Sequence, residues 1–170
     1  MDTRSTTAIE TSASAPRLTS DQVWRQVAKQ SFAVISQATS EGAPRSSGVL
    51  YKTIDRKLFV VTDANSWKAK HLAANPHIAV TVPVHRGGLL ALVAPIPPAT
   101  ISFHGTAVVH AAGTMSIPEA LSPLIPPERR SDCAIIEISP EGAFVTYGIG
   151  VALLKMRHPE LSRARVPVGG

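Results

Sequence analysis

The chain has 170 residues, 44% of them hydrophobic and 17% charged, which suits one ordinary domain and excludes a wholly disordered chain. Seventeen Lys and Arg against twelve Asp and Glu leave a net charge of +5, with the excess gathered between Arg45 and Lys70 and again between Lys155 and Arg165. That balance suits a phosphorylated ligand, whereas aromatics at 5% and the lack of a basic run leave no material for a nucleic-acid stacking platform.

Residues 1–18, rich in Ser, Thr and Ala and interrupted by Glu10 and Pro16, lack the apolar run of a secretory signal and read as a disordered leader. Thr19 with Gln22 is a capping-box pattern, and the pairs Val23/Val27 and Trp24/Ala28 predict a short helix through Lys29. Ser31 to Ala38 predicts a strand, Ser40-Glu41-Gly42-Ala43-Pro44 a tight turn, and Arg45 to Ile54 a second strand that completes a hairpin. Asp55-Arg56 turns the chain into a third strand, Lys57 to Thr62, rich in β-branched and aromatic residues. Ser66 is placed to cap a helix through Ala74, which Asn75-Pro76 ends.

Strands are expected over His77 to Val82 and Ala99 to His110, with a long apolar loop, Gly87 to Pro98, between them. A short Pro-bounded helix is expected over Ile117 to Ile125, then two closing strands, Ala134 to Ser139 and Ala143 to Tyr147. The expected architecture is mainly β, an antiparallel barrel of six to seven strands with short helices inserted. It occupies residues 19–148, with 149–170 a basic C-terminal extension.

The single cysteine, Cys133, lies in an apolar run and is expected in the core. No internal disulfide can form, and a cytoplasmic protein is expected. Pro95, Pro97 and Pro98 break the uncharged stretch from Gly87 to Pro118 before any helix in it could cross a bilayer.

The sequence has no Gly-x-Ser-x-Gly elbow, Walker-type phosphate loop or His-Glu-x-x-His, so hydrolase and kinase readings fall and no catalytic side chain is assigned. Its six histidines complete no metal-ligand spacing. His71 alone stands out, one helical turn from Lys68.

The informative block runs from Val60 to Lys68. A strand that delivers Thr62 and Ser66 to the start of a helix gathers hydroxyls, free N–H groups and the positive end of the helix dipole, with Lys68 in the first turn. Two readings fit: a phosphate site, and an ordinary capped helix with a solvated lysine.

This block resembles the pyridoxamine 5'-phosphate oxidase-like superfamily of flavin and deazaflavin split β-barrels. The oxidase run Phe-Tyr-Thr-Asn-x-x-Ser-Arg-Lys, followed by Leu and Asn-Pro, matches Thr62, Ser66, Lys68, Leu72, Asn75 and Pro76 at identical spacing. Arg45 and Lys52 resemble an upstream Arg-x-Val-Leu-Leu-Lys element at an altered interval. The resemblance implies a homodimer that binds FMN or coenzyme F420 in a groove between subunits. Arg45 and Lys68 would hold the cofactor phosphate, and Lys52 and Trp67 would belong to the same cofactor-binding set. Thr62 and Ser66 would add hydrogen bonds, and Val61 would lie along the ring system.

Chemistry in such proteins belongs mostly to the cofactor, so the lack of a visible catalytic residue fits. One departure is Trp67, which stands where the oxidase has arginine and removes one charge from the expected clamp. The oxidase's C-terminal arginine and histidine motif is also missing, which argues against vitamin B6 oxidation.

The apolar loop, with Leu89, Leu90, Leu92 and Ile96, has two readings: packing under a dimer partner, and a lid over a hydrophobic ligand. The functional expectation is an oxidoreductase using FMN or F420 on a small molecule. The alternatives are a cofactor-free relative that binds a hydrophobic ligand such as a fatty acid, and a haem or tetrapyrrole binder.

Overall fold

The computed structural model describes residues 18–86, 98–125, 127–152, 156 and 158–169. Helix α1 (Ser20–Lys29) starts as its capping box dictates. The Thr19 hydroxyl accepts from the Gln22 amide at 3.3 Å, and the Gln22 side chain accepts from the Thr19 amide at 2.9 Å. Val23, Trp24 and Val27 form its buried face. Strands β1 (Phe32–Ala38) and β2 (Pro44–Leu50) make the expected hairpin, in register from Phe32 opposite Leu50 to Ala38 opposite Pro44. Gly42, at φ +81°, allows the reversal without the steric cost of a side chain.

Tyr51 then divides what the sequence presents as one strand. It is fully buried, its amide donates to the Ser31 carbonyl at 2.9 Å, and its hydroxyl donates to the Val27 carbonyl at 2.6 Å. The chain leaves β2 at this anchor and re-enters the sheet as β3 (Lys52–Ile54), which pairs with β4 (Lys57–Asp63). Helix α2 (Trp67–Ala74), β5 (His77–Val84) and β6 (Ala99–His110) follow. Then come 3-10 segments at Glu119–Leu124 and Pro127–Arg129, β7 (Cys133–Tyr147), a single helical turn α3 (Pro159–Ser162) and β8 (Arg163–Pro167).

Every pairing is antiparallel, and the strand order is β2-β1-β5-β6-β7-β4-β3 with β8 on β7. The edge strands β2 and β3 are consecutive in the chain, so the sheet curls back on itself as a half-barrel. This is the mainly β, antiparallel split barrel expected from the sequence, with differences in detail. Eight strands, rather than six or seven, occur among the described residues.

The two expected closing strands are one. Pro140-Glu141-Gly142 bends the strand without ending it, with Gly142 at φ +66° and a shift of the β6 register between Ser102 and His104. The basic C-terminal stretch joins the sheet, because Arg163–Pro167 pair with Ala143–Tyr147. The short helix after β6 is a 3-10 helix that contains Pro123.

The core fills the inner face. Ile35, Leu58, Val60, Val80, Ile101 and Ile136 meet α1, and Phe144 receives Trp24 and Phe103 edge-on at centroid distances of 5.3 and 5.5 Å. A smaller cluster on the opposite face, Phe59, Leu121, Ile125, Cys133 and Ile135, packs the first 3-10 segment against β4 and β7. Cys133 is buried there, as expected.

Candidate functional site

Alternation along β4 decides which groups reach the site. Leu58 and Val60 point into the core, Phe59 and Val61 belong to the opposite face, and Thr62 closes the inner row where the strand gives way to α2. Ser66 caps that helix, its hydroxyl accepting from the Ala69 amide at 3.3 Å. The Thr62 and Ser66 hydroxyls lie 3.2 Å apart, and Lys68 Nζ donates to Thr62 Oγ1 at 3.3 Å. Two hydroxyls, an ammonium and the first-turn N–H groups of an eight-residue helix therefore converge. Arg56, Lys57 and Arg129 each sit on a carboxylate, whereas Lys68 has none among the described residues.

Lys68 opens onto a cleft of about 220 Å³ bounded by Gly48, Val49, Leu50, Val61 and Leu124. One wall comes from β2, the other from β4 and α2, and Leu124 of the 3-10 segment closes one end. At Gly48 the Phe32 ring lies over the strand, 2.7 Å from where a Cβ would stand.

Thr62, Ser66, Lys68 and Val61 come together, as the sequence block implies. Arg45 is not brought to them: it is exposed on β2, opposite Gln37 across the hairpin, and it is Gln37, buried, that donates to the Lys68 carbonyl at 3.3 Å. The Gln37 side-chain oxygen has no partner among the described residues. Lys52 is set apart, exposed on the outer face opposite Phe59. Trp67 is 40% exposed and so is no core residue of its own barrel. Its ring leans on His71 at 5.7 Å, and Lys68 Nζ lies 5.9 Å from its centroid, within cation–π range. His71 Nδ1 is buried without a partner among the described residues.

The proposed lid residues Leu89, Leu90, Leu92 and Ile96 lie outside the described residues. No group of three or more His, Cys, Asp or Glu among the described residues is disposed to hold a metal ion.

Sequence reasoning missed Gln37, Gly48, Leu50 and Leu124. The signal for Gln37 was its place in the inward row Ala33, Ile35, Gln37, where a polar residue needs a buried partner. It also missed a polar knot on the outer face, where Glu137 accepts from Lys57 Nζ at 2.5 Å and pairs with His110 at 2.9 Å. The hydrogen bond from Lys57 chiefly, and that from His110, hold the Glu137 carboxyl below the usual carboxylate range.

A half-barrel of antiparallel strands with a hydroxyl- and lysine-bearing helix start beside its closure defines the pyridoxamine 5'-phosphate oxidase-like class. The family model described as Pyridoxamine 5'-phosphate oxidase matches residues 19–143, and the chain belongs to that family. Among solved structures, the chain is similar to General Stress Protein 26 from Bacillus anthracis str. Sterne. The two are 18% identical, with 75% of this chain and 92% of that one covered and a TM-score of 0.55.

It is similar also to a heme binding protein from Mycobacterium smegmatis, at 14% identity, 91% and 60% coverage and a TM-score of 0.61. An F420 reductase gives 15% identity, 71% and 93% coverage and a TM-score of 0.50. At these identities the likeness is one of fold. No curated protein matches the chain. No helix among the described residues is long and apolar enough to cross a membrane.

Proposed function

We propose that the chain is an oxidoreductase that binds a phosphorylated flavin or deazaflavin, FMN or F420, and acts on a small molecule as a homodimer. The observation that carries this reading is the Lys68 ammonium, held on Thr62 at the capped start of α2 with no carboxylate to neutralise it. The likeness to an F420 reductase supports it. The residues fit the cofactor's anionic end: Lys68 supplies charge, and Thr62 and Ser66 supply hydroxyls. When bound, the cofactor supplies the hydride chemistry. The chain's own work is to hold the phosphate at α2 and to set Val61 and Leu50 along the cleft as an apolar wall that keeps water out.

Size and surface support a homodimer. Pockets that enclose a small-molecule ligand measure about 300–1,000 Å³, so the 220 Å³ cleft holds only part of a cofactor. The cleft is continuous with a sheet row of Gly48, Val34, Thr81, Ser102 and Val145, beside the exposed pair Phe32 and Leu50, which ends at the charged Arg165. A second copy on that face would supply the missing wall.

The decisive experiment is the visible spectrum of the full chain purified from a host that makes both FMN and F420, with its mass by light scattering. A flavin or deazaflavin band on a dimer is expected. A colourless monomer that takes up neither cofactor on titration overturns the reading. Haem is the second reading, favoured by the likeness to the M. smegmatis heme binding protein, and a Soret band in the same spectrum would establish it.

A further inference from the structure

The turn between β4 and α2 carries an acidic residue, whose charge opposes that of an anion brought to the start of α2. Asp63 directly follows Thr62, and its Oδ1 accepts from the Asn65 amide at 2.7 Å, which fixes the carboxylate within the turn that leads to Ser66 and Lys68. On the strand it shares the outer row of Val61, a wall of the cleft. A bare carboxylate here would repel any phosphate brought to Lys68.

It is not bare, because Arg129 Nη2 donates to Asp63 Oδ2 at 3.0 Å. Arg129 ends the second 3-10 segment, a few residues beyond the cleft residue Leu124, and its segment is pinned to the same turn. The Ala64 amide donates to the Asp132 carbonyl at 2.9 Å, the Asp132 amide donates to the Arg129 carbonyl at 3.1 Å, and Asp63 is in register with Cys133. Sequence distance hides this contact, since Arg129 stands 66 positions from Asp63.

We propose that Arg129 is a specificity-determining residue of the anion site, and that its contact with Asp63 sets how strongly the site favours a phosphorylated ligand over the same ligand without phosphate. The inference rests on the cofactor reading above. Both side chains are about half exposed, so the pair adds little to stability. Its effect lies in the field at Lys68. With Arg129 in place the Asp63 charge is cancelled locally; without it, one uncompensated negative charge stands in the turn that leads to Lys68 and acts on a phosphate there at partial screening.

The test compares FMN with riboflavin, which lacks the phosphate, by titrating the full chain and its variants at low and high salt, with F420 as a second phosphate-bearing probe. Arg129→Ala is expected to weaken FMN and F420 binding about threefold to tenfold at low salt, less at high salt, with riboflavin affinity unmoved. Asp63→Asn is expected to strengthen phosphate-bearing ligands by a similar factor. In the double variant the loss caused by Arg129→Ala should disappear, because no carboxylate remains to be unmasked.

A purely structural strap would lower the affinity for FMN and riboflavin together and would not be rescued by Asp63→Asn. That pattern overturns the inference, as does a wild-type FMN affinity in all three variants while Lys68→Ala still loses binding. If the unaltered chain binds neither FMN nor F420, the cofactor reading itself fails and the inference falls with it.

Discussion

Replacing Lys68 with alanine removes the charge on which the anion site depends. The change leaves the backbone carbonyl that Gln37 holds, and alanine keeps the first turn of α2 helical, so the perturbation is confined to the ammonium. That group makes one hydrogen bond, to Thr62, and has no ion pair among the described residues to give up on binding. Its contact with a phosphate therefore costs no ion pair among the described residues. A hydrogen bond to a charged group contributes about 1.5–3 kcal/mol, which is roughly a 10- to 150-fold rise in Kd.

The assay is titration of FMN and F420 followed by absorbance and fluorescence, with riboflavin as the ligand that should feel no change. Lys57→Ala serves as the control, because Lys57 is occupied by Glu137 on the outer face and should leave affinity as it is. Equal FMN affinity in wild type and Lys68→Ala would refute the assignment of the phosphate to α2.

Trp67→Arg should strengthen FMN binding about tenfold by adding a second cation to the turn. Since Trp67 is largely at the surface, its Tm should stay within what a change of about 0.5 kcal/mol gives, and thermal unfolding beside the titration checks both. In the β3–β4 turn, Asp55 and Arg56 have φ of +47° and +59°, the left-handed region that favours glycine. Arg56→Gly should gain about 0.5–1 kcal/mol even after the exposed Asp21 pair is lost. Arg56→Ala, which keeps the strain and loses the pair, should fall below wild type in chemical denaturation.

Glu137 has its carboxyl held low in the folded state, so its contribution is complete above the ordinary carboxylate value and is lost as pH falls through the lowered one. Glu137→Gln should therefore lower Tm near neutrality. The gap to wild type should close as pH drops below the ordinary value of 4.5; a gap that stays constant down the acid limb would contradict this.

What the sequence made legible was whatever rests on neighbours along the chain. The Thr19–Gln22 box, the Ser66 cap, the hairpin turn at Gly42 and the bounds of β6 all follow from local chemistry. The meeting of Thr62, Ser66 and Lys68 was legible too, because they lie within seven positions of one another. Legibility failed where a distant partner decides. Pro140-Glu141-Gly142 has the composition of a turn, and only the pairing of Pro140 with Gly105 across β6 keeps the strand continuous.

Arg163-Ala164-Arg165-Val166 alternates as a strand should, yet its charges disguised it until the edge of β7 offered a partner. Tyr51 ends β2 because its amide and hydroxyl are claimed by Ser31 and Val27, contacts no propensity encodes. For the same reason Gln37 entered the site through register and Arg129 through an ion pair, both invisible to spacing.

The long, bent β7 has a further consequence for how the protein comes into being. Among the described residues it is the strand that joins β4 to β6, so during synthesis β3 with β4 and β1 with β2, β5 and β6 can assemble as two unconnected sheets, each with a raw edge. They cannot close around the core until residues 133–147 have left the ribosome. β8, whose only partner is β7, comes later still. Most of the chain must therefore wait, with strand edges open to chaperones or to other nascent chains, for the segment that stitches its two halves together.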